Sequence, residues 1–105
     1  MAAELQPQFD RLVHEPSRLA ILAYLASREA STVGFTELKS ELGMTAGNLS
    51  VHLKNLEEAG YVEITKSFVE NKPNTSVRLT VTGSRALSTY LAQMESLIQT
   101  LKKES

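Results

Sequence analysis

The side chains able to do chemistry are few in this sequence, and their spacing excludes most catalytic arrangements. The chain has two histidines, His14 and His52, and no cysteine, so thiolate nucleophiles, disulfides and thiolate metal ligation are all excluded. Ser50 and His52 stand two apart on a helical run and so face about 200° from each other, which prevents a nucleophile–base pair. No phosphate loop of the GxxxxGK[ST] type, no HExxH and no GxSxG occurs. The expectation is a protein that is not an enzyme and carries no cofactor and no metal. What remains is chemistry of contact. Thr45, Ala46, Gly47, Asn48, Ser50, Val51, Lys54 and Asn55 crowd one short segment. Small residues such as Ala46 and Gly47 let a backbone approach closely, and Asn48 and Asn55 can pair with base edges. Val51 can meet a thymine methyl, while Ser50 and Lys54 suit phosphate.

Such a set works only on a helix whose other side is held in a core. Leu49, Leu53 and Leu56 recur at i, i+4 and i+7, Thr45 can cap the helix and Gly60 closes it, so the contact residues fall on or beside the exposed face. The free N–H groups of its first turn add partial positive charge toward phosphates. Before it, Thr36 is read as the cap of a two-turn helix that buries Leu38 and Leu42 and stops at Gly43. Gly43 and Gly47 therefore mark a helix end and a helix start, not a membrane dimer motif. Two short helices joined by a glycine-containing turn make a helix-turn-helix candidate. Upstream, Pro7 opens a first helix bearing Phe9, Leu12 and Val13, and Pro16 suits the first position of a second, apolar helix over Pro16 to Ser27.

From Tyr61 to Phe68 the period changes to alternation, Glu70 to Asn74 is polar, and Thr75 to Thr80 alternates again. The pair reads as a β-hairpin whose cations are Lys66, Lys72 and Arg78, with Lys72 at the tip. Thr82 is read as the cap of a last helix running to about Lys103, in which Leu87, Tyr90, Leu91, Met94, Leu97, Ile98 and Leu101 recur every three or four residues. At about 33 Å it is longer than a domain of this size covers, so part of its apolar face calls for a partner chain. The fold class is mainly α with a small β-hairpin (α+β).

The order helix, helix, helix-turn-helix, hairpin, long helix is that of a winged helix. Four stretches, PSRLAILAYL (Pro16 to Leu25), FTELKSELGMTAGNLSVHLKNLEEAGYVEI (Phe35 to Ile64), KSFVENKPNT (Lys66 to Thr75) and LTVTGSRAL (Leu79 to Leu87), resemble the MarR/ArsR-type winged helix-turn-helix transcriptional regulators. The resemblance implies one domain over 1–105: a helix-turn-helix over 36–59, a wing hairpin over 61–80, and terminal helices over 1–15 and 82–103 forming a homodimer. It further implies an inverted-repeat operator in double-stranded DNA, the helix over 45–59 in the major groove and the wing over 66–78 at the minor groove and backbone. Repression by occlusion follows, since no separate activation surface is visible. Phe9, Leu12 and Val13 and the apolar stripe from Leu87 to Leu101 would make the interface. Metal sensing in ArsR-type relatives uses Cys or clustered His and carboxylates. This chain lacks Cys, so an unknown small molecule, a protein partner or no effector is left.

Composition bounds these readings. At 105 residues, 42% hydrophobic and 22% charged, the chain has material for one core and too much apolar content for disorder. The longest apolar run, Leu19 to Ala26, falls short of a bilayer span and Met1 to Leu5 has no basic segment, so no membrane association and a cytoplasmic location are expected. The sequons at Asn48 and Asn74 are then accidental. A net charge of −1 keeps an alternative open: a winged helix used for protein–protein interaction or assembly, without sequence-specific DNA binding.

Overall fold

The computed structural model describes residues 8–28 and 32–104. The expected first helix divides at that limit: Pro7 lies outside the described residues, and residues 8–15 form a hydrogen-bonded turn in place of a helix. The cause is local. Asp10 Oδ1 accepts from the amides of Leu12 (2.9 Å) and Val13 (3.3 Å), an alternative to the helical ladder. Glu15, the residue before a proline, is extended at φ −152° and ψ 128°. The segment still buries Val13 completely.

Helix α1 (Pro16–Ser27) starts with proline at its first turn, and the Glu15 carboxylate accepts from Arg18 N at 2.7 Å. It is the hub of the core: Ile21, Leu22 and Leu25 are buried, and the helix packs on every later helix and on the last strand. Strand β1 (Val33–Gly34) runs directly into helix α2 (Phe35–Leu42). Gly34 therefore occupies the cap position expected of Thr36, and no side chain caps this helix. Gly43 takes the left-handed conformation (φ 63°) and the Gly43 and Met44 amides return to Ser40 O and Lys39 O, which ends α2. Helix α3 (Ala46–Glu58) follows at once, with Thr45 Oγ1 accepting from Asn48 N at 3.1 Å and Leu49, Leu53 and Leu56 buried.

Strands β2 (Val62–Val69) and β3 (Lys72–Leu79) form the hairpin in antiparallel register, from Val62↔Leu79 to Val69↔Lys72. Two features differ from expectation. The sheet has three strands in the order β1-β3-β2, because Val33 and Gly34 pair with Val77 and Ser76. The polar stretch Glu70 to Asn74 is mostly strand: only Glu70 and Asn71 turn, both at positive φ (52° and 66°), the pattern of a tight two-residue hairpin. Pro73 is tolerated in β3 because β1 pairs only farther along, so the missing N–H breaks no ladder bond there.

Helix α4 (Val81–Glu104) is 24 residues long, about 36 Å at 1.5 Å per residue. Thr80, not Thr82, caps it: Thr80 Oγ1 accepts from Gly83 N at 2.9 Å and donates to Gly60 O at 2.6 Å. Leu87 and Tyr90 anchor its first half in the core beside α1. The molecule measures 59 × 25 × 22 Å, which reflects the projection of wing and helix from a small body.

Candidate nucleic-acid interface

The exposed side of α3 and the wing enclose an open cleft of about 770 Å³, lined by Phe35, Ser50, Leu53, Lys54, Glu57, Ile64, Lys66 and Thr75. Its walls follow from two periodicities. Burying Leu49, Leu53 and Leu56 turns Ser50, Lys54 and Glu57 toward the sheet side of the helix, and alternation puts Ile64, Lys66 and Thr75 on one face of the hairpin. The floor is apolar and the rim carries two lysines and one glutamate.

Of the residues singled out from the sequence, Thr45, Ala46, Gly47, Asn48, Ser50, Val51 and Lys54 are exposed and Asn55 is half-buried. The structure brings Ser50, Lys54 and Lys66 together in the cleft. Thr45 to Asn48 lie at the N-terminal end of α3, outside the cleft lining, where the first amides of the helix are free apart from the Thr45 cap. Lys72 pairs with Val69 at the start of β3, on the hairpin face opposite Lys66. Arg78 faces the same way as Lys72 and is already engaged: its Nη2 lies 2.9 Å from Glu63 Oε1, its cross-strand neighbour. Glu57, near the C-terminal end of α3, also forms part of the cleft wall.

Among the residues assigned to a dimer interface, Val13, Leu87 and Tyr90 are 0%, 6% and 4% exposed within the single chain and belong to its own core. Phe9, Leu12 and Met94 are partly buried against that core and Leu97 is half-buried. Leu91, Ile98 and Leu101 stand out, at 52%, 44% and 52% exposed.

Sequence reading missed the long-range polar ties of residues 8–18 to α3, α4 and the base of the wing. Arg18 Nε donates to Leu12 O at 2.6 Å and its Nη1 lies 3.3 Å from His52 Nδ1, joining the N-terminal segment to α3. His14 Nδ1 lies 2.8 Å from Tyr90 Oη, with the Phe9 ring stacked on the imidazole. Tyr61 Oη donates to Asp10 Oδ2 at the base of the wing. Periodicity carries no signal for such long-range polar pairs.

The Tyr61–Asp10 bond has a measurable consequence. Donation to the carboxylate, then burial and the carboxylate's charge, push the Tyr61 phenol up to about 12. A folded-state value above the unfolded one of about 10 means the stabilisation is complete below pH about 10 and is lost as pH rises toward 12. Absorbance titration of tyrosinate should therefore show its latest step near pH 12, which Tyr61→Phe removes, leaving the Tyr24 phenol, also raised by its bond to Glu37, as a separate step. A variant that keeps the late step would assign it to another tyrosine.

Among the described residues no helix is long and apolar enough to cross a membrane, and no three His, Asp or Glu side chains gather as metal ligands. A family model described as a winged helix DNA-binding domain matches residues 17–98. An uncharacterized protein of Methanocaldococcus jannaschii is 36% identical over 85 residues, covering 81% of this chain and 90% of its own. The solved structure of a transcriptional regulator homologue from Pyrococcus horikoshii superposes with a TM-score of 0.81 at 27% identity, covering 95% of both chains. The MepR–DNA complex of S. aureus superposes at 0.71 with 16% identity over 98% of this chain and 79% of that one, a likeness of fold.

Proposed function

Because the chain belongs to the family of winged helix DNA-binding domains, we propose that it is a homodimeric regulator of transcription that reads an inverted repeat in double-stranded DNA. The observation that carries the reading is the uncovered face of α3, whose small N-terminal residues, Asn48, Ser50 and Lys54 stand beside a wing bearing Lys66 and Lys72. In this reading α3 enters the major groove by its N-terminal half, where backbone amides and Ala46 and Gly47 permit close approach. Lys54 and Lys66 neutralise phosphates on either side of the cleft, and the hairpin lies against the backbone and minor groove. Leu91, Ile98 and Leu101 on α4, with Leu97 beside them, supply the apolar contact between protomers. The two recognition helices then stand about one helical turn apart, roughly 34 to 36 Å. Occupying a promoter in this way represses it, and the family resemblance leaves room for a small-molecule effector.

The test is fluorescence anisotropy on labelled duplex from upstream of the gene, and on duplexes selected from a randomised pool, against unrelated DNA at two salt concentrations. Preference that persists at the higher salt is the expected result. Lys54→Ala and Lys72→Ala should each weaken binding on every sequence and lower the slope of log K against log salt by about one. Arg78→Ala should change the slope less, because Glu63 already holds that guanidinium at 2.9 Å. Asn48→Ala should relax preference at one base position. Failure of the folded protein to bind any selected duplex at low salt would sink the reading in favour of protein docking.

A further inference from the structure

The end of the wing, given the DNA-binding reading above, carries an apolar pair that stands in water. Phe68 is 75% exposed, the highest value among the exposed large hydrophobic side chains of the described residues, and its neighbour Val69 is 55% exposed. Three-quarters of the Phe68 surface gains nothing from burial in this chain and is left for a partner to cover. Its placement is specific. Phe68 pairs with Pro73, and directly paired residues share a face, so the ring and the pyrrolidine stand side by side. That face continues inward through Lys66↔Thr75 and Ile64↔Val77, the same side that lines the cleft against α3. The ring therefore projects on the DNA-facing side, beyond the last cation of the cleft.

We infer that the Phe68–Pro73 pair is an apolar wedge that enters the minor groove and partly unstacks a base step of the duplex. Three features fit a wedge. The tip is short, because Glu70 and Asn71 make the whole turn at positive φ and β2 and β3 are paired to the last residue before it. The wedge is bracketed by charge, with Lys66 two residues away on its own face and Lys72 on the other face one pair nearer the turn, so both walls of a groove find a cation. The patch is small and flanked by lysines, which suits a polyanion with an apolar interior better than a protein surface; the larger apolar stripe that suits a second protomer lies apart on α4. Glu70 carries a negative charge at the turn, so the face behind it, not the turn itself, makes the deep contact. Inserted apolar side chains of this kind kink duplexes toward the major groove by about 20 to 90°.

The probe is a selected duplex carrying a single 2-aminopurine, walked through the sequence flanking the major-groove half-site. The wild-type protein should brighten the fluorescent base at one step, and circularly permuted fragments should report a bend. Phe68→Ala should abolish the brightening, reduce the bend and weaken binding about tenfold, the scale of one lost base–aromatic stack. It should leave the salt slope and the melting temperature unchanged, since the ring is uncharged and exposed. Phe68→Trp, which keeps a stacking surface, should keep brightening and affinity. Brightening and bend that persist in Phe68→Ala overturn the wedge, as does a Phe68→Ala protein that changes its oligomeric state instead. Wild-type binding without brightening at any position overturns the wedge alone, whereas a wild-type protein that binds no duplex removes the DNA-binding reading and the wedge together.

Discussion

Gly83→Ala should be the most damaging single-methyl change in the molecule, lowering the melting temperature by about 12 to 20 °C. A Cβ at this position would stand 2.1 Å from the carbonyl oxygen of Tyr61, 2.8 Å from its carbonyl carbon and 2.9 Å from Leu79 Cδ1. Two of those atoms are backbone, so no side-chain rotation relieves the clash. The first turn of α4 would have to leave the base of the wing, and with it would go the Thr80 cap and the Thr80 N to Tyr61 O bond of 3.1 Å. Overpacking costs about 1 to 3 kcal/mol in general, and a clash with fixed backbone belongs at the top of that range. Gly47 is the internal control: nothing lies within 4 Å of its virtual Cβ, so Gly47→Ala should raise thermal stability slightly through lost unfolded-chain freedom. Thermal unfolding followed by circular dichroism separates the two. Equal melting temperatures for wild type and Gly83→Ala would mean that the helix start sits farther from Tyr61 than described.

The second large effect is on assembly. Leu91 and Ile98 lie seven residues apart, on one side of α4, and are 52% and 44% exposed in the single chain. The double substitution Leu91→Asp with Ile98→Asp should leave the folded monomer intact while placing four carboxylates in an apolar contact between two protomers. Sedimentation should change from dimer to monomer. Affinity for an inverted repeat should fall by about a hundredfold or more, because a second half-site bound intramolecularly contributes on that scale. Retention of the dimer would move the interface elsewhere. Loss of the dimer with undiminished binding would show that a single wing and recognition helix suffice.

Which parts were legible in the sequence follows from the range of the signal each leaves. Leu49, Leu53 and Leu56, with Thr45 before them and Gly60 after, define α3 almost to the residue because periodicity, cap and terminator are local and agree. Pro16 marks α1 for the same reason. Strand β1 is two residues long, too short for alternation to register, and it exists because Val77 is there to pair with. Its presence also explains the misplaced cap of α2: with Gly34 already in the sheet, the chain turns into the helix two residues early. Thr80 and Thr82 compete equally as caps on local grounds, and the contact of Thr80 with Gly60 O, twenty residues away, decides between them. The side occupied by Lys66 and Phe68 was readable from alternation. Its opposition to α3, and the entry of Glu57 into the same cleft, needed the tertiary packing of helix on sheet.

The ties of the N-terminal segment bear on how the protein is made. Asp10 meets Tyr61, Arg18 meets His52, and His14 meets Tyr90, a partner 76 residues later in the chain. Translation at about 5 to 20 residues per second puts roughly 4 to 15 s between the synthesis of His14 and that of Tyr90. During that interval α1 is joined by α2 and then α3, while the Phe9 and His14 rings wait for Tyr90 of α4. Residues 8–15 are thus made before Tyr61 and Tyr90, on which they dock, and this part of the fold is completed only once α4 has been synthesised.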